Sequence, residues 1–355
     1  MGIVFPATTK EINVEWLNEV LHKNGFLGNT DIISVDHKPM GTGRGFLSEM
    51  AKLHLTYNSN TSSLPGTMIA KWPPLNEFAL RAVMSMGLFE REIRFYTDIA
   101  PNCDIRTPRI YFTFIGDNNQ YGILMEDCSS FIEPDPDMNG LSLEDSKTAV
   151  LKMADFHARW WNAENRPELN WVPGVKTIFT NDPNTADSAW NICIGRQVFV
   201  DALPKGGMEA GQKIVDNFDW ILNNLAQDKL SLVHDDLKSE NMFIDSATPE
   251  DPLIIFDWST LNINRGVTDL SFLLGEAVSP DTRRKIERDI IPLYHERLVE
   301  NGVSDYSFNE CYEDYLKGLL VLTFVPLAVS TRTDLTDPRS VEKNHNTVNQ
   351  RFTAI

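Results

Sequence analysis

Cysteine is scarce, and the four present, Cys103, Cys128, Cys193 and Cys311, are scattered. None forms a C-x-x-C pair, and no histidine cluster has zinc spacing. A disulfide-stapled scaffold and a structural zinc module are therefore excluded. Isolated thiols in a chain of 355 residues suit a reducing compartment. Long hydrophobic runs are missing too. The longest apolar stretch, near Gly318 to Val329, is interrupted by Thr323 and Pro326 and falls short of the ~20 residues needed to cross a bilayer. The opening Met1-Gly2-Ile3-Val4-Phe5-Pro6 lacks the basic and apolar regions of a signal peptide, and Pro6 stands where a myristoylation motif wants Ser or Thr. The expectation is a cytoplasmic protein with no membrane partner. Positive charge is also in deficit, with 32 Lys and Arg against 50 Asp and Glu and a formal net charge of -18. Such a chain repels phosphate backbones and anionic headgroups, which argues against nucleic acid as a partner. There are no internal repeats and no low-complexity tracts.

What is present is ordinary globular composition, 42% hydrophobic and 23% charged, in a length sufficient for two lobes. An amphipathic helix is expected over residues 11–25, with Trp16, Val20 and Leu21 on one side. Two strands are expected within 31–57, joined by Gly41-Thr42-Gly43-Arg44-Gly45. The second strand alternates Ala51, Leu53, Leu55 and Tyr57 against Lys52, His54 and Thr56. A third strand at 67–72, a long helix over 77–99 and strands near 109–114 and 121–126 follow. After Asp127 the pattern turns helical, with periodic stretches at 143–163, 211–226 and from 268 onward. Short strands interrupt it near 232–233, 242–244 and 253–256. This predicts an α+β fold of two lobes. Residues 1–126 form one lobe around an antiparallel sheet, and residues 127–355 form a second, mainly helical lobe.

The strongest chemical signal is His234-Asp235-Asp236-Leu237-Lys238-Ser239-Glu240-Asn241, which matches the kinase catalytic loop H-R-D-L-x-x-x-N. The spacing has a chemical reason. A carboxylate, Asp236, must accept or orient the proton of an attacking hydroxyl, and an amide oxygen, Asn241, must ligate Mg²⁺ beside the transferring phosphate. Lys238 can reach the same phosphate and offset its developing charge. Second, the apolar strand Ile254-Ile255-Phe256 ends in Asp257, where the second magnesium-binding aspartate of a kinase belongs. Taken alone, Asp257 could equally cap the following segment. Third, Lys71 closes Met68-Ile69-Ala70 in the manner of the ATP-binding V-A-I-K strand and shares a face with Thr67 and Ile69. A surface lysine on an edge strand is the plainer alternative. Fourth, helical spacing puts Glu92 on one stripe with Leu88, Phe95 and Ile99, whereas Glu90 aligns with Arg94 and Thr97 on a solvated face. A carboxylate on an apolar stripe needs a cation, and Lys71 is the natural one. Gly41, Gly43 and Gly45 can cover phosphates with backbone amides or form a plain flexible turn. Met125, Glu126 and Asp127 fall at the inter-lobe hinge, where backbone groups would bind adenine.

These residues, in this order, resemble the superfamily of aminoglycoside phosphotransferases, choline kinases and ecdysteroid-kinase-like enzymes, over about residues 25–300. The family brackets its loop as H-G-D-x-x-x-x-N followed by I-D-W or I-D-x, here His234 to Asn241 and Phe256-Asp257-Trp258. Glu92 to Tyr96 (E-x-x-F-Y), Phe156-His157-Ala158-Arg159-Trp160 and Gly266 to Leu273 bring it closest to the ecdysteroid-kinase-like branch. The resemblance implies a protein-kinase-like fold, with ATP and Mg²⁺ as cofactors and a small-molecule alcohol as acceptor. Asp236 is then the base, Asn241 and Asp257 hold metal, and Lys71 with Glu92 positions ATP. Two residues depart from the pattern: Asp235 replaces the glycine of H-G-D, and Lys238 is closer to the protein-kinase loop.

Three functions compete. A small-molecule O-kinase leads. A protein kinase lacks room for a peptide-docking activation loop, because only a short stretch separates Ser259 from Asp269 and no A-P-E follows. A nucleotide-binding pseudokinase or scaffold would have lost a metal ligand or the lysine, and all are present. His157 reads as a packed, hydrogen-bonded histidine. For the acceptor, Trp160, Trp161, Trp171, Phe179, Trp190 and Phe199 either wall a pocket for a lipophilic, sterol-like alcohol or fill the lobe's core. Asp182, Asp187 and Asp201 are sparse for an aminoglycoside polycation, which remains the alternative acceptor.

Overall fold

The computed structural model describes residues 3–40, 48–59, 64–117, 120–134, 140–176, 185–323 and 338–353. They form two compact units. The first contains residues up to Ile132 together with the short stretch Asp245–Thr260. The second contains Glu133–Ile244 and Leu261 onward.

The first unit is built on a five-stranded antiparallel sheet of order β1-β2-β3-β5-β4, from β1 (Ile32–Met40), β2 (Glu49–Tyr57), β3 (Thr67–Trp72), β4 (Ile110–Ile115) and β5 (Tyr121–Glu126). The alternation of β2 buries Ala51, Leu53 and Leu55 against Leu17, Val20 and Leu21 of α1 (Val14–Lys23). Burying each such leucine contributes about 1.5–3 kcal/mol. Asn13 caps α1 by accepting the Trp16 N–H at 2.9 Å. Strand β3 lies between β2 and β5, so Met68, Ile69, Ala70, Lys71 and Trp72 are all buried.

The helix expected over 77–99 is broken. It runs as α2 (Glu77–Ser85) and α3 (Leu88–Arg94), separated by Gly87 at φ 64°, and ends in a π-turn, Phe95–Ile99. A left-handed backbone costs glycine nothing, so the chain changes direction there. The π-turn turns Phe95, Tyr96 and Ile99 all inward.

The second unit is mainly helical. Its α4 (Leu143–Arg159) is capped by Ser142, which accepts the Asp145 N–H at 3.1 Å. The expected helix 211–226 is two shorter ones, Gly207–Asp216 and Phe218–Leu225. Helices Thr185–Ile194 and Gln197–Ala202 enclose a core of Trp190, Phe199, Ile214, Phe218, Leu222 and Phe352. Two short strands, Ser231–Val233 and Asn262–Asn264, pair antiparallel and bracket the loop that begins at His234. Among the described residues no helix is long and apolar enough to cross a membrane.

Candidate active site

In the first unit, Lys71 is held between two carboxylates. Its Nζ lies 2.9 Å from Glu92 Oε1, 2.8 Å from Glu92 Oε2 and 3.2 Å from Asp257 Oδ1. Lys71 and Glu92 are 7% and 1% exposed, so each charge needs a partner at contact, which Glu92 finds in Lys71 and Lys71 in both carboxylates. Burial opposes the charge on Lys71, but Asp257 and Glu92 together outweigh it and raise its pKa above the ordinary lysine value. Burial raises Glu92 above the usual carboxylate range; Lys71 works against that rise and Asp257 adds to it. Glu90, on the other face of α3, is half-exposed and 3.9 Å from Arg94.

Asp257 sits at φ 59°, a left-handed conformation that aspartate tolerates better than most residues. The next residue, Trp258, is fully buried and stacks on Phe95 at 3.8 Å between centroids and 5° between planes. The E-x-x-F-Y segment therefore grips both ends of one reach of chain: Glu92 through Lys71, and Phe95 through Trp258.

In the second unit, the His234–Asn241 loop is wired to itself. Asp236 Oδ2 accepts from Lys238 Nζ at 2.8 Å and from Asn241 Nδ2 at 3.0 Å. Asn241 Nδ2 also donates to the Asp236 carbonyl at 2.8 Å, so the amide nitrogen is committed and the amide oxygen is what Asn241 can offer a cation. Burial disfavours the charge on Lys238, yet Asp236 more than compensates and the ammonium pKa rises. Glu276 faces this pair and is ion-paired with Arg351; burial raises its carboxyl pKa, with Arg351 opposing.

The loop hangs from Asp269, which no chemical motif singled out. Its carboxylate is fully buried and accepts the backbone N–H groups of His234 and Asp235, both at 2.8 Å, while His157 Nε2 lies 3.2 Å away. His157 Nδ1 is 2.8 Å from Tyr294 Oη, so this histidine is a structural member of a buried polar network. Gly266 gives that network room: a methyl there would meet the His157 ring and Tyr294 Oη at 2.7 Å. A signal for Asp269 did exist, since an aspartate inside the apolar run Val267 to Leu273 must be paired. Asp235 adopts φ 62°, which explains how it can stand where the family has glycine. Glu276, in a π-turn over Leu273–Ala277, and Arg351, in the helix Pro338–Phe352, also went unnoticed, because they are far apart in sequence and belong to no motif.

At the hinge, Glu126 donates its N–H to the Arg109 carbonyl at 2.8 Å and accepts the Arg109 N–H on its carboxylate at 3.0 Å. Asp127 is bound by Lys52 at 2.6 Å. Both carboxylates are thus committed to protein partners, and the Glu126 N–H to the sheet. Gly41, Gly43 and Gly45 lie outside the described residues, as do Phe179 and Asp182. Trp160, Trp161, Trp190 and Phe199 are buried, and Trp190 and Phe199 belong to the second unit's core. Trp190 and Phe199 therefore fill that core, the second of the two readings offered for them, while Trp171 is half-buried. Among the described residues no group of three or more His, Cys, Asp or Glu could hold a metal by itself. Asn241 and Asp257 each carry a hard oxygen, the donor type that Mg²⁺ takes together with nucleotide phosphates.

The architecture has solved counterparts. An aminoglycoside 2'-phosphotransferase solved with GDP superposes with a TM-score of 0.57 at 13% identity, covering 96% of this chain and 97% of that one. A microcompartment-associated aminopropanol kinase gives 0.52 at 13% identity over 90% of each chain. A choline kinase from Streptococcus pneumoniae gives 0.50 at 11% identity over 91% and 94%. The fold is thus the two-lobed α+β protein-kinase-like fold. No curated protein matches the sequence. The model of the ecdysteroid kinase-like family matches residues 42–303, and the chain belongs to that family.

Proposed function

We propose that this protein transfers a phosphoryl group from ATP to a hydroxyl of a small molecule, a phosphotransferase with an alcohol acceptor. One observation carries the reading. A buried lysine is shared by Glu92 and by Asp257, a residue 186 positions away in sequence. Packing alone does not call for a buried ion pair, and replacing one with apolar residues is often stabilising; here the pair also reaches a third, partly exposed carboxylate, Asp257. In a phosphotransferase each member has work. Lys71 takes the nucleotide phosphates, Glu92 holds Lys71, and Asp257 and Asn241 would each offer an oxygen to Mg²⁺. The metal, when bound, would neutralise charge on the phosphates. Asp236 takes up or orients the acceptor proton, and Lys238 stands beside it to offset charge on the transferred group. Glycines 41, 43 and 45 and the 125–127 backbone would cover the phosphates and seat the base.

The family and the structural neighbours support a small-molecule acceptor, since the neighbours are an aminoglycoside phosphotransferase, an aminopropanol kinase and a choline kinase. A lipophilic or sterol-like alcohol rests on family membership more than on the aromatics, since Trp190 and Phe199 are core residues. The test is a panel of sterol-like alcohols, amino alcohols and aminoglycosides with ATP and Mg²⁺, run on wild type and Asp236→Ala. The variant should lose turnover by at least about a hundredfold while still binding nucleotide. Substantial turnover in Asp236→Ala removes the base. Nucleotide binding without turnover on any acceptor supports a scaffold instead.

A further inference from the structure

The segment Asp245–Thr260 carries Asp257 but lies in sequence far from the rest of the unit it belongs to. Arg106, in the connection ahead of β4, holds it at three places. Its Nη2 donates to Asp245 Oδ2 and its Nη1 to the Asp251 carbonyl, both at 2.7 Å. Its own carbonyl accepts the Ile255 N–H at 3.0 Å. The guanidinium also lies 5.7 Å from the Phe131 ring centroid, which fixes its plane. Asp245 is itself organised: it accepts from Ala247 N at 3.0 Å and Thr248 Oγ1 at 2.9 Å, and its N–H donates to the Pro252 carbonyl at 2.8 Å. Both limbs of the 245–255 turn are thereby tied to one side chain. The fixed strand Leu253–Ile255 then delivers Asp257 two residues on, where its left-handed backbone leaves little slack. The fork geometry matters, because a lysine can occupy the Asp245 contact but cannot reach two acceptors in a plane.

We infer that Arg106 is a positioning residue for metal-nucleotide binding, acting through the 245–255 turn to set the place of Asp257. The inference rests on the proposed role of Asp257, and the test separates the two. Mn²⁺ is titrated into the full chain saturated with ADP, with bound metal followed by electron paramagnetic resonance, and metal-free ADP affinity is measured in parallel. Arg106→Met should weaken Mn²⁺ about tenfold and leave metal-free ADP within about twofold. Arg106→Lys and Asp245→Asn, which preserve more of the turn, should each weaken Mn²⁺ about threefold, and either suffices if Arg106→Met does not fold. Asp257→Asn is the reference. If it weakens Mn²⁺ and the Arg106 and Asp245 variants do not, the positioning role is overturned while the metal role of Asp257 stands. If Asp257→Asn leaves Mn²⁺ unchanged, the reading of Asp257 itself fails. Equal losses of metal and metal-free nucleotide affinity in the Arg106 variants would show a merely structural residue and also overturn the inference.

Discussion

Removing the partners of Lys71 one at a time should expose a strong coupling, and its size follows from burial. Glu92 is 1% exposed and touches Lys71 with both oxygens, at 2.9 and 2.8 Å. Breaking a buried pair by deleting one partner costs about 3–5 kcal/mol, most of it the penalty on the charge left behind. Glu92→Ala leaves Lys71 with Asp257 at 3.2 Å, so its cost belongs at the low end, about 3 kcal/mol. Lys71→Ala leaves two carboxylates with no cation between them. Glu92 can escape by taking up a proton, which its raised pKa already favours, so that cost is about 3–4 kcal/mol. The double variant strands no buried charge, since the Asp257 carboxylate that remains is partly exposed, and it should cost about as much as either single one. The coupling energy is then about 3 kcal/mol, at the upper end of the range for contacting residues. Glu90→Ala serves as control. Its partner is 3.9 Å away on an exposed helix face, and such pairs contribute about 0.3–0.5 kcal/mol. Urea midpoints with nucleotide titrations on the four proteins measure the cycle. Additivity of the 71 and 92 effects within about 0.5 kcal/mol, or a larger effect at Glu90 than at Glu92, would refute the reasoning.

Two further outcomes follow from particular backbones and charges. Asp235 at φ 62° should accept glycine at a cost below about 1 kcal/mol, while Asp235→Val should cost at least about 1–2 kcal/mol more than that, because a β-branched residue resists the left-handed region; equal midpoints for the two variants would contradict this. Burial works to raise the pKa of Asp127, but hydrogen bonds from Lys52, Thr67 and Ser129 outweigh it and hold it at about 2. A folded pKa below the unfolded value of about 3.9 means that the stabilisation, on the order of 2 kcal/mol, is complete above pH 4 and lost as pH falls from about 4 to 2. Asp127→Asn should flatten that acid limb in pH-dependent urea melts, and an unaltered limb would count against the assignment.

Much of the site could be read from sequence because it obeys local periodicities. Strand alternation put Lys71 at the end of a buried run, and helical spacing turned Glu92 inward and Glu90 outward. The break at Gly87 was not readable, since a single glycine in an apolar helical pattern is compatible with an unbroken helix, but it precedes Leu88 and leaves the phase of α3 intact. The aromatics from 160 to 199 were ambiguous for a different reason. Trp190 and Phe199 occupy two short helices whose shared core includes Phe352, and periodicity within one helix carries no information about a partner so distant. The same limit hid Arg106 and Asp245, which are 139 positions apart. A single cut near residue 126 likewise could not anticipate that Asp245–Thr260 returns to the first unit.

That return has a consequence for how the protein is made. The first unit cannot be completed by its own contiguous sequence, because Trp258, the partner of Phe95, is synthesised long after β5. At ordinary elongation rates the gap is on the order of ten seconds. During that interval the nascent sheet carries an uncovered Phe95 face and a Lys71–Glu92 pair without its third member. The second unit is opened by the same excursion, since its chain leaves at Ile244 and resumes at Leu261. Neither half is therefore a natural unit of expression. A fragment ending near Ile132 should emerge aggregation-prone and need its missing strand supplied in trans, and a nick between Asp245 and Thr260 should damage both halves at once.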